Sequence, residues 1–219
     1  MGGMGQLRLV LRRGRTHDYG EVTSLFEATR RWLLTKHTDQ WQKPWPNEAV
    51  RNLRVWAAMQ AGRTWVAWDD AAVAATITVS PNHHEIWPDK YRTDPAVYVR
   101  RLVVGRRYSG LDLGAQLLDW AGLRAARDYG ASWVRVDVWT TNTALHDYYL
   151  DRGFDSCGFH EPVPGYPSAA LFQRSTDRIK APEVSPFREI PLRTPLFREK
   201  PPESPLLREI LAPGCEQLY

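Results

Sequence analysis

Apolar and polar residues alternate with a period of two through "QLRLVLR", residues 6 to 12, which predicts a strand with one buried face. From residue 17 to 37 the period lengthens. Val22, Leu25, Phe26, Trp32 and Leu33 fall on one helical face, behind an Asp18–Glu21 pair spaced as a capping box. A second amphipathic helix is predicted from Asn47 through Val50, Leu53 and Trp56 to Gly62. The run "RTWVAWDDAAVAATITVS" reads as two strands turning at Asp69-Asp70, a hairpin. A fourth strand, "VYVRRLVVG", leads into a helix from about Leu113 to Tyr129 that Gly130 closes. A fifth strand, "SWVRVDVW", precedes a short helix over "NTALHDYYLDRG", and "FDSCGFH" and "AALFQRS" form the closing strands.

The predicted order is therefore β-α-α-β-β-β-α-β-α-β-β, a mixed α/β (α+β) fold with helices packed on a sheet of about seven strands. From about Ser175 this patterning stops. Eight of the sixteen prolines lie between residues 175 and 219, and none of the ten tryptophans does. Proline at that density breaks helices and weakens strands. The sequence thus divides into a domain over residues 6–174 and a Pro-rich tail over 175–219, read as disordered. Within the tail a motif returns every ten residues, as "FREI" at 187, "FREK" at 197 and "LREI" at 207. That period is too short for a self-stacking repeat unit, so the alternative to a solvated tail is a set of docking elements for a protein partner.

Composition narrows the class. Hydrophobic residues at 43% and charged residues at 25% are ordinary for a globular protein, and no apolar run is long enough to cross a bilayer. The segment "MGGMGQLRLVLRRGR" lacks the apolar block of a signal peptide. Cys157 and Cys215 sit in dissimilar contexts, with neither a disulfide framework nor metal-ligand spacing, so a cytoplasmic protein without a metal is expected. Arginine outnumbers lysine 24 to 5, which points to a GC-rich, bacterial genome. The net charge of +4 comes from dispersed rather than clustered basic residues. Dispersed charge argues against nucleic acid and fits a small anionic ligand such as a phosphorylated cofactor.

Two segments carry a family resemblance. "RLVVGRRYSGLDLGAQLL", residues 101 to 118, is a strand, a glycine-containing loop and a helix start. "NTALHDYYLDRGF" has Asn142, then Tyr149 seven residues on, then Gly153-Phe154 at eleven and twelve. In this order and spacing they resemble the acyl-CoA loop and following helix of the GNAT superfamily of acyl-CoA-dependent N-acetyltransferases, over roughly residues 6 to 174. The resemblance implies a mostly antiparallel sheet with helices on both faces, acetyl-CoA as cosubstrate, and transfer to a primary amine of a small molecule or peptide. The family loop reads Arg-Gly-x-Gly-x-Gly; here Ser109 stands for the arginine and Asp112 for a glycine.

The implied site follows. Successive amides of Ser109, Gly110, Leu111, Asp112, Leu113 and Gly114 at a helix N-terminus would cradle a pyrophosphate, with Arg106 and Arg107 at the entrance. Asp112 either caps the helix, the favoured reading, or faces the phosphates and weakens their binding. Backbone near Leu102 and Val104 would bind the pantetheine arm between parted strands, and Asn142 would bind that arm or cap its helix. Tyr149 would donate the proton to the departing thiolate, or else pack in the core as Tyr148 does. His84 and Glu85 are the candidate bases in an exposed "NHHE" loop, with Asp137 a weaker candidate. In "DQWQKPWP", Trp41 and Trp45 would wall a cationic amine with Asp39 as counter-charge, or simply anchor the loop. The competing class is a non-catalytic acyl-CoA-binding or partner-binding domain, favoured by the altered loop, the absence of an evident base and the repeated tail.

Overall fold

The computed structural model describes residues 8–81, 86–162 and 164–191. The strands are β1 (Leu9–Arg13), β2 (Thr64–Asp69), β3 (Ala72–Ser80), β4 (Ala96–Val104), β5 (Trp133–Val138), β6 (Asp155–Phe159), β7 (Ala170–Ser175) and β8 (Phe187–Ile190). The helices are α1 (Tyr19–Leu34), α2 (Glu48–Gln60), α3 (Leu113–Tyr129) and α4 (Thr143–Asp151). All the strands join one sheet in the order β6-β7-β5-β4-β3-β2-β1-β8. Its pairs are antiparallel except β4 with β5 and β1 with β8.

The period of two sends alternate residues of β2 to opposite faces. Trp65 and Ala67 enter the large core with α3, while Val66 meets Val22 of α1 and Val55 and Met59 of α2 on the other side. Helices therefore cover both faces, as expected. Asn47 caps α2 by accepting from the Val50 amide at 3.0 Å, and Gly130 ends α3 in the left-handed region. Asp18 does not cap α1. It is buried and accepts two hydrogen bonds from Arg12 and one from the Arg15 amide, so the anticipated box with Glu21 does not form.

The sheet has an eighth strand that patterning missed, and it corrects the reading of a disordered tail from Ser175. Ser175 closes β7, and the first tail repeat, "FREI", is β8, paired parallel to β1 with Leu9 opposite Phe187. Phe187 is buried in the main core, and Glu189 accepts from Trp120 Nε1 at 2.5 Å and Arg124 Nη1 at 2.8 Å. The repeats at 197 and 207 lie outside the described residues. Among the described residues, no helix is long and apolar enough to cross a membrane.

Two irregularities in β4 shape the site. Thr76 pairs with Val103 and Thr78 with Arg100, so β4 carries one residue more than β3 there. Arg101 takes up the excess at a φ of 48°, and its carbonyl accepts from Thr76 Oγ1. This is a β-bulge, which bends a strand and re-aims its side chains. The second irregularity is a parting of the sheet. β4 pairs with β5 from Ala96 to Val99 and no further, whereas β5 continues alongside β7 to Val138.

Candidate active site

The gap between β4 and β5 opens into a cleft of about 1110 Å³, lined from the N-terminus of α3 to Trp41 and Tyr166. Leu102 and Val104 line it beyond the bulge, where β4 backbone is no longer paired with β5. At the other end lies the turn from Gly105 to Leu113. The Ser109 and Leu111 amides are spent in that turn, on the carbonyls of Arg106 and Tyr108. The remaining candidates for the cradle are Gly110 and the first turn of α3, whose amides have no intrahelical partners. Gly110 has a φ of 82°, and a Cβ there would meet nothing, so the approach is open. At Gly114 a Cβ would come within 2.7 Å of the Tyr148 hydroxyl, so only glycine lets that ring lie across the helix start.

Asp112 departs from the favoured reading. It is the N-cap residue of α3 in the left-handed region, φ 54°, yet its side chain makes no capping bond. Its carboxylate instead accepts from Arg152 Nη2 at 2.6 Å, reaching across from the end of α4. Both side chains line the cleft. Arg106 is at the rim, its guanidinium 4.1 Å from the Trp32 ring centroid. Arg107 turns away to pair with Asp69 and stack on Tyr108, and Leu111 faces a separate groove beside Phe187. Neither side chain lines the cleft.

The Asn142 side chain caps α4, accepting from the Leu145 amide at 3.1 Å, and donates to Gln40 Oε1 at 2.6 Å. Tyr149 lines the cleft and is also packed, with its ring against Tyr148, Phe154 and Phe172. Burial, then the neighbouring Tyr148 and Asp137, raise its pKa well above that of an ordinary phenol. It therefore keeps its proton at neutral pH. Asp137 is held by Arg100 Nε at 3.0 Å and by the Tyr166 hydroxyl at 3.3 Å. His84 and Glu85 lie outside the described residues.

Asp39 lines no part of the cleft. Its carboxylate accepts from Thr141 Oγ1 and from Trp139 Nε1 at 2.8 Å, and these bonds hold its pKa below the usual range. It ties the loop after α1 to the end of β5. Trp41 and Trp45 line an adjoining cavity of about 200 Å³. Trp41 packs on Phe26, and Trp45 meets Tyr166 edge-on beneath the Arg54 guanidinium. Residues missed from sequence are Arg152, Gln40, Tyr166, Arg54 and Arg101. Only Arg101 left a signal there, because two adjacent arginines in "VYVRRLVV" break the alternation of a strand.

A mixed sheet parted between β4 and β5, with a helix N-terminus at the mouth of the gap, is the GNAT fold. The chain belongs to the acetyltransferase (GNAT) family, whose model matches residues 26–154. It is 27% identical over 154 residues to the Bacillus subtilis (strain 168) protein described as uncharacterized N-acetyltransferase YesJ, covering 65% of this chain and 82% of that one. A GNAT-family acetyltransferase structure from Listeria monocytogenes 4b F2365 superposes with a TM-score of 0.63 at 22% identity, over 78% of this chain and 96% of that one. YncA from Salmonella typhimurium, solved with acetyl-CoA, gives a TM-score of 0.54 at 16% identity, over 80% and 98% of the two chains.

Proposed function

We propose that the protein is an acetyl-CoA-dependent N-acetyltransferase that acts on a primary amine. The observation that carries this reading is the joining, in one cleft, of a β4 edge no longer paired with β5, the open turn at Gly110 and a cleft-lining Tyr149. Acetyl-CoA, when bound, supplies the activated acetyl thioester. Gly110 and the first turn of α3 would hold its pyrophosphate, with Arg106 and Arg152 adding charge, and β4 backbone at Leu102 and Val104 would hold the pantetheine arm. Tyr149 would donate a hydrogen bond and then its proton to the departing sulfur.

The attacking amine must be neutral. Arg54, Arg100 and Arg101 line the acceptor end, and their combined charge would lower the pKa of an ammonium placed there. Asp137 is the carboxylate beside Tyr149 among the described cleft residues. It would accept the ammonium proton directly or through water, a transfer eased because the arginines destabilise the ammonium.

Thiol release from acetyl-CoA over a panel of primary amines tests the reading. At least one amine should give turnover, and Tyr149→Phe should lower kcat about 100-fold. The affinity of that variant for acetyl-CoA should stay within about threefold, since the ring still packs on Phe154 and Phe172. Acetyl-CoA binding with no thiol release for any amine would favour the binding-domain reading instead.

A further inference from the structure

The 200 Å³ cavity is lined by five cationic side chains, Arg30, Lys43, Arg51, Arg54 and Arg101, against one carboxylate, Glu27. Glu27 is already engaged by Arg30 through two bonds of 2.8 Å, and Arg51 pairs with Glu48 outside the cavity. Among the described residues the cavity lining therefore carries an excess of positive charge. Phe26, Trp41, Trp45 and Tyr166 supply its apolar walls, where water screens that charge poorly.

Arg101 is the group on which this charge converges. The bulge sends the two neighbouring arginines of β4 to different partners. Arg100 takes Asp137, while no carboxylate among the described residues pairs with Arg101. Its side chain lines both the small cavity and the cleft, so one ligand can touch it from the cleft side. Burial first, then the charges of Arg100 and Arg54, push its pKa down to about 10, and it is still a cation at neutral pH. Asp137 acts on Arg101 only at a distance, being paired with Arg100, so an arginine held at a strained φ beside two other arginines gains most from a directly bound anion, which the described residues do not supply.

We propose that the acceptor is an amino carboxylate, with its amine in the cleft and its carboxylate seated on Arg101 at the mouth of the tryptophan-lined cavity. The placement of the amine rests on the acetyl-transfer reading above; the recognition of the anion does not. A planar guanidinium binds a carboxylate through two parallel N–H bonds, which a neutral amide of the same shape cannot match. A wholly cationic amine, the ligand expected from Asp39 and the tryptophans, would instead be repelled. Asp39 is committed to Thr141 and Trp139 and contributes nothing to this cavity.

The test is calorimetric and uses the full chain saturated with CoA. Matched pairs are titrated: phenylalanine and phenylalaninamide, methionine and methioninamide, 4-aminobutyrate and its amide. For at least one pair the carboxylate should bind about 10- to 100-fold tighter than its amide. Arg101→Gln should reduce the carboxylate to the level of the amide, and Arg101→Lys should keep part of the preference. CoA affinity, measured on each variant, checks that the bulge is intact, and the wild-type comparison of acid with amide needs no variant at all. Equal binding of acid and amide, binding of neither in every pair, or a preference that survives Arg101→Gln would overturn the proposal. An Arg101-dependent carboxylate that binds without thiol release would leave it standing and defeat acetyl transfer instead.

Discussion

At Asp112 two small costs oppose each other. An aspartate held at φ 54° sits in the left-handed region, which costs a non-glycine residue about 1 kcal/mol. The ion pair with Arg152 is largely exposed and returns less than about 1 kcal/mol. Asp112→Gly should therefore leave stability unchanged to within about 1 kcal/mol, read from a thermal melt. Its effect on CoA should be larger, because it removes a negative charge from the helix start and frees Arg152 for the phosphates. We expect CoA to bind roughly five-fold tighter, which corresponds to about 1 kcal/mol. A weaker or unchanged Kd would show that the Asp112–Arg152 pair does not compete with the ligand. From sequence, the position of Asp112 at a strand-to-helix joint was legible, but its partner was not. Arg152 lies forty residues away on another helix, and nothing local marks it. Asn142 and Tyr149 illustrate the opposite case. The spacing that singled them out places Asn142 at the cap of α4 and Tyr149 within it, where the Tyr149 ring is packed as the alternative to proton donation expected and also lines the cleft.

At the level of elements, periodicity located the strands and helices of the domain because each buries one face, and burial writes a period into the sequence. It failed at β8 for a physical reason. A four-residue parallel edge strand buries a single residue, Phe187, and its flanking prolines give the composition of a tail. The strand is nonetheless part of the fold. Phe187→Ala should cost about 3 kcal/mol, as truncation of a core phenylalanine does, and lower Tm by about 6–12 °C. A chain ending at residue 191 should melt with the full-length protein, while one ending at residue 184 should melt with or below Phe187→Ala. Equal melting of all of these would place β8 outside the cooperative unit. The bulge in β4 was legible only as a broken alternation at Arg100-Arg101. Which arginine goes to Asp137 and which to the cavity depends on register with β3, and register is a property of two strands rather than one.

For the molecule as a whole, the features that matter to function come from segments far apart in the chain. The loop after α1, the bulge of β4, the start of α3, the end of β5 and α4 meet around one gap in the sheet. A cleft of about 1110 Å³ exceeds what one small ligand requires, as it must if a cofactor and an acceptor are to meet inside it. The loop before α3 decides whether the cleft takes the cofactor, since Ser109 and Asp112 stand where the family has an arginine and a glycine. The most direct measurement is a calorimetric titration of the full chain with acetyl-CoA and with CoA. One site per chain with micromolar affinity for both is expected, weakening with added salt as a phosphate contact should. No heat of binding from either ligand, with the protein folded, would contradict that expectation.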